Sequence, residues 1–389
     1  MATPPTVDIA TLTRPISDEQ PAGPELRSAS DRKAFDDVRD ARKKAIDAER
    51  RLRDLASMSD DDRRNMADAP EPPDWEAVRR HAIEALTRSK DLWVAAWLIE
   101  GLTRLYGFAG LRDGIRLTHQ LCDKFWENIH PQDMGTRFSQ LAGLDGGSNS
   151  EGTLILPILS VPITAARTIP DFSLADYKDA AELERKPPEI RQRRLAQGAL
   201  TLDQFNQAVA ETNVEFFQKL IGDLESAEQA VVAFSTSLRE KEDAQKQAGG
   251  QGFVLPSSWN IRETLGECLR VCRVFTKDLL PKEKGGPDDG KIGVTAGGQP
   301  APGSRADGDS QPFGSLGVET REEAFQALIR VSQYFRRAEP HSPISYALEQ
   351  VVRWGRMSLP QLLSELVADR SAREEIFKRA GIVEESSEK

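Results

Sequence analysis

The feature that most constrains the fold is a run of apolar residues that keeps helical spacing over a long stretch. From Thr212 onward, apolar residues recur three and four positions apart for about seven helical turns, which places them on one face. A helix of this length with one apolar face usually pairs with another helix. Residues 261–279 carry the same kind of repeat, so we predict that these two helices pack together.

Capping signals mark the starts of further helices. Asp74 precedes the apolar-periodic stretch that begins at Trp75, and its carboxylate is suited to accept hydrogen bonds from the first turn. Two pairs, Thr201 with Gln204 and Thr212 with Glu215, fit the capping box, in which side chains and backbone N–H groups satisfy each other. These signals predict helices that begin near residues 75, 202 and 213.

Two places depart from this regular pattern. Gly107 is predicted to end one helix, and the next is expected to run from Leu111 until Pro131 discourages its continuation. Residues 153–159 are apolar and follow a glycine-rich stretch, so a strand is a candidate there. Pro157 would restrict such a strand to a small, edge-like sheet.

These patterns predict an all-α protein with several domains, because 389 residues exceed what one core usually holds. The Gly- and Pro-rich stretch after residue 282 contains almost no residues to bury and is the sharpest boundary. The predicted parts are an extended N-terminal arm (1–29), an N-terminal helical domain (30–175), a middle helical domain (176–282), a disordered linker (283–318), a small helical C-terminal domain (319–383) and a tail (384–389).

Composition limits the classes of partner. The formal net charge of −10 argues against nucleic acid and against an anionic membrane, because both select clustered excess Lys and Arg. The longest clean apolar run, Leu92 to Ile99, is far shorter than the ~20 residues of a membrane span. We find no signal peptide, and three sparse cysteines suit a reducing compartment. We therefore expect a cytoplasmic protein that does not insert into membranes.

The sequence offers little for catalysis. The zinc-protease, P-loop, nucleophile-elbow and paired CxxC motifs are missing from it, so we expect neither an enzyme nor a bound cofactor. His119, Cys122 and His130 could contribute to a metal site, although Cys122 fits a core position better. Cys268 and Cys272 lie four apart on an apolar helix face, where core packing is favoured over a redox pair.

Tryptophans and a basic run each allow two interpretations. Trp93 and Trp97 share one helix face and Trp126 lies on the next helix, which fits core packing or an exposed interface patch. The Arg- and Lys-rich run of residues 39–53 is interleaved with carboxylates at helical spacing. This pattern favours a solvated helix face over a nucleic-acid contact.

An ordered set of residues in the first part of the chain resembles the ImpA N-terminal domain of the TssA family, a component of the bacterial type VI secretion system. The resemblance covers about residues 12–165. It is carried by Pro15, Ile16, Pro21, Gly23, Phe35, Trp75, Ser89, Lys90, Asp91, Trp93, Trp97, Trp126, His130 and Pro131. The Ser89-Lys90-Asp91 triplet could also serve only to cap the helix that carries the tryptophans.

A second set resembles the short C-terminal domain of baseplate-type members of that family. It consists of Glu339, Pro340, His341, Ser342 and Pro343, followed by Trp354 and Met357. Glu339, His341 and Ser342 fall where a loop turns into a helix, so they either cap that helix or contact a neighbouring subunit.

The resemblance implies a non-enzymatic scaffold. Such a protein would form a homo-oligomeric ring through its C-terminal domain and contact baseplate, tail-tube and sheath proteins, with membrane-complex proteins as further candidate partners. A sheath-priming or distal-cap role is the alternative within the family. A cytosolic adaptor or an uncharacterised enzyme is the alternative outside it.

Overall fold

In a computed structural model, the chain forms two compact units, Met1–Gly290 and Lys291–Lys389. The break between them falls inside the segment 283–318, which itself lies outside the described residues. The structure describes residues 2–28, 32–57, 71–147, 150–250, 252–277, 325, 328–329, 331–332, 335–336, 343–357 and 359–366.

The first unit is built of helices, which confirms the predicted all-α class. They are α1 (Ile9–Leu12), α2 (Arg32–Ser57), α3 (Trp75–Arg88), α4 (Leu92–Phe125), α5 (Met134–Arg137), α6 (Ser139–Asp145), α7 (Ile155–Leu159), α8 (Leu174–Glu184), α9 (Pro188–Ala196), α10 (Leu202–Glu211), α11 (Val214–Gln247) and α12 (Trp259–Thr276). A short antiparallel pair, β1 (Gly146–Gly147) with β2 (Ser150–Glu151), follows α6.

Helix α11 organises the packing of this unit. It packs against α12, as the two apolar repeats predict, and it also lies along α4, which in turn packs against α3. One hydrophobic core joins Leu98 and Leu117 of α4 to Phe217 and Leu224 of α11 and to Leu265 of α12. Residues from the predicted N-terminal and middle domains therefore share a single core.

Two of the three predicted caps are confirmed. The Asp74 carboxylate accepts a hydrogen bond from the Ala77 N–H at 2.8 Å, and Thr201 with Gln204 forms a capping box. The Thr212 prediction is wrong, because Asn213 caps α11 by accepting from Phe216 N–H at 2.7 Å. Thr212 is instead held by tertiary contacts: its hydroxyl accepts from the Ala165 N–H at 2.8 Å.

The strand considered for residues 153–159 is also wrong, since residues 155–159 form helix α7. Pro157 lies in the first turn, where a helix needs no N–H donor, so it is compatible with this short helix. The Ile158 N–H donates to the Leu154 carbonyl at 2.9 Å, and Ile158 is buried against the core.

Gly107 interrupts α4, but the helix does not restart at Leu111 as predicted. The backbone leaves helical geometry only at Gly107, with φ 58° and ψ −137°, and helical structure resumes at once with Phe108. A Cβ atom at position 107 would lie 2.9 Å from Cγ1 of Val161. Glycine is needed here both for the positive φ and for the close approach of Val161. The helix also ends earlier than expected, at Phe125.

The N-terminal segment packs onto the helices and contains one helical turn, α1, that the sequence pattern does not indicate. Its residues Val7, Leu12, Ala22 and Leu26 are buried in the core. Two carboxylates of the helices hold its backbone: Asp223 accepts from Thr3 N–H at 2.7 Å, and Asp113 accepts from Thr6 N–H at 2.6 Å. Arg112 donates to the Thr3 carbonyl at 2.9 Å.

In the second unit, helix α13 (Ile344–Arg356) contacts the helical residues 325–336 where these are described, and helix α14 (Leu359–Leu366) follows it. A Cβ atom at Gly355 would lie 2.5 Å from the Phe325 ring, so glycine permits this close contact. Glu349 accepts from Ser332 at 3.2 Å and from Arg336 at 2.8 Å, which ties α13 to the preceding helical residues.

Two glycine substitutions test why glycine is needed at position 107, where α4 is kinked. We expect Gly107→Ala to lower the free energy of unfolding by about 2 kcal/mol, because alanine disfavours positive φ and its Cβ would crowd Val161. Gly266→Ala is the control: Gly266 lies inside α12, where an added Cβ atom would meet nothing within 4 Å. It should stabilise the protein by about 0.5–1 kcal/mol. Urea denaturation of the full chain measures both, and equal effects would contradict the account.

Candidate functional site

Five motif residues of the N-terminal region form a buried cluster, which we call the clasp: Gly23, Ser89, Lys90, Asp91 and His130. Ser89, Lys90 and Asp91 link the end of α3 to the start of α4, and at most 1% of the surface of each is exposed. Among the described residues, Lys90 is one of the largest side chains that are fully buried. Burying polar groups to this extent is costly unless they find partners inside the protein.

The Lys90 ammonium group is held by main-chain oxygens. Nζ donates to the carbonyl of Leu12 at 2.8 Å and to that of Leu86 at 2.9 Å. Both oxygens lie in the last turns of helices, α1 and α3, where carbonyls have no partner within the helix. The negative end of each helix dipole favours a cation at this position. Burial lowers the pKa of Lys90 to about 8.

The backbone around Lys90 joins three distant segments. Its N–H donates to the Ala22 carbonyl at 2.7 Å, and its carbonyl accepts from His130 N–H at 2.9 Å. The His130 carbonyl accepts from Leu92 N–H at 2.8 Å, and the His130 ring nitrogen Nε2 lies 2.9 Å from the Gly23 carbonyl oxygen. The clasp therefore fixes the N-terminal segment and the end of α4 to one connection between helices.

Asp91 caps α4 and has a cationic neighbour. Its carboxylate accepts from the N–H groups of Trp93 and Val94 at 2.8 and 3.3 Å, and Arg27 lies 3.5 Å from its second oxygen. Burial raises the pKa of Asp91, while Arg27 and the capped N–H groups act in the opposite direction. The Arg27 guanidinium also stacks 4.7 Å from the centre of the Trp93 ring.

The residues from Pro15 to Gly23 form the turn that delivers the N-terminal segment to the clasp. Ile16 N–H donates to the Pro21 carbonyl at 2.9 Å. Gly23 adopts a positive φ of 72°, and a Cβ atom there would lie 2.2 Å from the Arg88 carbonyl oxygen. No side chain fits at position 23 without moving the end of α3.

The four tryptophans of the motif have polar partners and packed rings. Trp97 is 5% exposed and Trp75 is 4% exposed. Trp93 and Trp126 are half-buried against the core. The indole N–H groups of Trp75, Trp93 and Trp97 donate to Glu49, to the Thr136 carbonyl and to Gln140 at 2.6, 3.1 and 3.1 Å. The rings of this set thus contribute mainly to internal packing.

Two arginines outside the motif support the same region. Arg27 pairs with Asp91, as described above, and Arg137 is 4% exposed. Arg137 donates to the carbonyls of Pro131, Trp126 and Gln132 at 2.8, 3.0 and 3.0 Å, and so fixes the chain that leaves α4. Sequence reasoning missed both residues. Neither belongs to a recognisable local pattern, because their partners are main-chain or motif groups brought close by folding.

The C-terminal motif is only partly described. Glu339, Pro340, His341 and Ser342 lie outside the described residues. Pro343 directly precedes α13, Trp354 lies in its last turn and Met357 follows it. The two sets of motif residues thus belong to different units.

The cysteines and the possible metal ligands are the candidates for reactive groups that the sequence offers. Cys122, Cys268 and Cys272 are buried and free, and burial raises the pKa of Cys122 and of Cys272 to about 12. Over the ranges given above, we find no group of three or more His, Cys, Asp or Glu residues arranged to hold a metal ion. Within those ranges, too, none of the helices has the length and apolar character needed to cross a membrane.

Comparisons with known proteins agree with the motif. The family model for the N-terminal region of ImpA, from the type VI secretion system, matches residues 13–146. Type VI secretion system component TssA1 of Pseudomonas aeruginosa is 26% identical over 323 residues, covering 79% of this chain and 85% of that protein.

A solved structure shows the same fold. The N-terminal domain, including the conserved ImpA_N region, of the TssA component from Burkholderia cenocepacia aligns with a TM-score of 0.55 and 25% identity. The alignment covers 71% of this chain and 98% of that domain.

The helical fold and the matched segment, which contains the whole clasp, define a protein with an ImpA-type N-terminal region. The family match, the curated relative and the solved structure all point to one group of proteins. Residues 13–146 belong to the family of ImpA N-terminal regions, and the chain over most of its length is similar to TssA components of the type VI secretion system.

The buried Lys90 predicts a specific dependence of stability on pH. Its pKa is about 8 in the folded protein and about 10.4 when unfolded, so the unfolded chain binds more protons between these values. The free energy of unfolding of the wild type should therefore rise, relative to Lys90→Met, as pH increases from about 8 to about 10.4. The total rise between these pH values is about 3 kcal/mol. Below pH 8, the difference in the free energy of unfolding between the wild type and Lys90→Met should not change with pH.

Lys43→Met is the control for this experiment, because Lys43 is an exposed lysine on α2. Urea denaturation across the pH range should give Lys43→Met the same profile as the wild type. Parallel profiles for the wild type and Lys90→Met would contradict the account of a buried ammonium group.

Proposed function

We propose that this protein is a non-enzymatic scaffold of the type VI secretion system that acts in the cytoplasm. It assembles as a ring at the baseplate through its C-terminal unit and contacts baseplate, tail-tube and sheath subunits. The ImpA-type N-terminal region, the similarity to TssA1 and the C-terminal motif, Glu339–Pro343 with Trp354 and Met357, support this assignment.

The observation that carries the ring proposal is the apolar surface of the C-terminal unit. Tyr346 and Val351 on α13 are 62% and 47% exposed, and Leu366 on α14 is 54% exposed. Small helical units bury too little of their own surface to be very stable and gain from association with a copy. Exposed apolar side chains on a small helical unit are typical of a subunit interface.

Side-chain hydrogen bonds between the helices of the same unit support a fixed shape for that surface. Arg353 donates to Glu365 at 2.6 Å, which ties α13 to α14. Glu349 links α13 to Ser332 and Arg336 as described above. The exposed apolar residues are therefore presented by helices that are joined to one another, and preorganised surfaces of this kind bind with less entropic cost.

An enzymatic alternative finds less support in the first unit. A groove of about 1030 Å³ runs along its surface near the kink at Gly107. Its carboxylates are already engaged: Glu49 by Arg104 and Trp75, Asp171 by the Ala166 N–H, and Asp223 by Thr3 and Arg112. Carboxylates occupied in this way act as structural ties rather than as a free acid–base pair.

A solution-mass measurement tests the ring. We expect light scattering coupled to size exclusion to give a large discrete oligomer for the full chain. The double variant Tyr346→Glu/Val351→Glu should shift it to monomer or dimer, because charges would be placed in the apolar interface. Val254→Glu is the control, since Val254 is 89% exposed but lies in the first unit, and it should leave the mass unchanged.

A monomeric wild-type chain would refute the proposed assembly. A large oligomer that persists in the double variant would refute the role given to α13. Circular dichroism of each variant checks that helix content is retained.

A further inference from the structure

Helix α9 is an unusual element of the first unit because it has no buried residue. All residues from 184 to 198 are exposed except the half-buried Arg191. Its aliphatic residues Ile190 and Leu195 are 40% and 38% exposed. A short surface helix normally buries one apolar face, which provides most of its stability.

The helices on either side hold α9 in place. Helix α8 precedes it and α10 follows it, and these two pack against each other. Phe205 of α10 is buried, and its ring lies 5.1 Å from Tyr177 of α8 and 5.2 Å from Phe275 of α12. The α8–α10 pair is thereby fastened to the core and carries α9 on the connection between them.

Local interactions stabilise α9, although none of its side chains is buried in the core. Pro188 occupies its first turn, where a proline costs no hydrogen bond, and Arg193 and Arg194 lie in its last turn, where the helix dipole favours cations. Arg191 forms an ion pair with Glu184 at 3.2 Å. A helix of this length is marginal on its own, so a surface that covers it would add to its stability.

The charge of this segment is opposite to that of the rest of the chain. Residues 185–196 contain five cations (Arg185, Lys186, Arg191, Arg193 and Arg194) and one anion (Glu189), a net charge of 5 − 1 = +4. The whole chain carries −10, so the remaining residues sum to −14. Arg185, Arg193 and Arg194 form no salt bridge with other described residues.

Apolar and basic side chains alternate along the helix. Ile190 lies one turn before Arg194, and Arg191 lies one turn before Leu195, so each aliphatic residue shares a face with an arginine. Arginine forms bidentate pairs with carboxylates, and aliphatic side chains fill apolar recesses. The matching surface is an apolar recess bordered by Asp and Glu.

We propose that α9, with Arg185 and Lys186, is a docking site for an acidic protein subunit of the secretion machine. The inference rests on the proposed function, in which this chain contacts other components of that machine. The partner presents carboxylates to Arg185, Arg193 and Arg194 around a recess that receives Ile190 and Leu195. An acidic protein fits better than nucleic acid, because the segment interleaves its cations with aliphatic side chains that would fill apolar recesses of a protein surface.

Charge reversal of α9 tests the proposal. The variant is Arg185→Glu/Arg193→Glu/Arg194→Glu in the full chain. The control is Arg239→Glu/Arg262→Glu/Arg270→Glu, which changes net charge by the same amount at exposed positions of α11 and α12. Because all six replaced side chains are exposed, both variants should keep the wild-type unfolding midpoint.

Binding is measured by biolayer interferometry against each purified baseplate, tail-tube and sheath subunit of the same system. We expect one acidic subunit to bind the wild type and the control with equal affinity. It should bind the α9 variant at least about tenfold more weakly. Vesicles of phosphatidylcholine with phosphatidylglycerol and a short DNA duplex are tested in parallel. A change in the solution mass of the chain alone is also recorded.

Each other outcome overturns the inference. Equal binding by the α9 variant and the control refutes the α9 site but leaves the proposed function intact. Failure of every subunit to bind the wild type contradicts the proposed function itself. Loss of vesicle or DNA binding alone would identify a membrane or nucleic-acid surface, and a selective change of mass would identify a second copy as the occupant.

Discussion

The first unit depends on one buried cation whose hydrogen bonds go to main-chain oxygens. The Lys90 ammonium group joins the last turn of α1 to the last turn of α3 through the carbonyls of Leu12 and Leu86. A charge that leaves water needs such partners, and unpaired carbonyls at buried helix ends need a donor. Each group thus satisfies the requirement of the other, and the N-terminal segment becomes part of the helical core.

The same position fixes the course of the chain beyond the two helices. Main-chain bonds from Lys90 reach Ala22 and His130, and His130 bonds onward to Leu92 and Gly23. Farther along the N-terminal segment, Asp113 and Asp223 hold the backbone of Thr6 and Thr3. Two polar anchors therefore hold the segment, one at the start of α4 and one where α4 meets α11.

Local chemistry explains what could be predicted from the sequence. The caps at Asp74 and Thr201 depend on neighbours within one turn. The apolar repeats of α11 and α12 show which face of each helix must be buried by packing. Tertiary contacts explain the failures. Thr212 and Glu215 fit the capping-box pattern, but the Thr212 hydroxyl instead accepts a hydrogen bond from the Ala165 N–H.

The clasp was predictable only in part. The family resemblance draws attention to Ser89, Lys90 and Asp91, yet nothing in the local pattern shows that Lys90 bonds Leu12, 78 positions away. Arg27 and Arg137 are missed for the same reason, since their partners are assembled by folding. The exposure of α9 is likewise invisible in its sequence, because Ile190 and Leu195 look like ordinary core positions.

Native-state hydrogen exchange of the clasp amides tests the central claim most directly. The account predicts that the N–H groups of Lys90, Leu92 and His130 exchange together and only through global unfolding, with the free energy that urea denaturation gives. Exchange of these amides at a much lower free energy, through local opening, would show that the clasp does not hold the unit together.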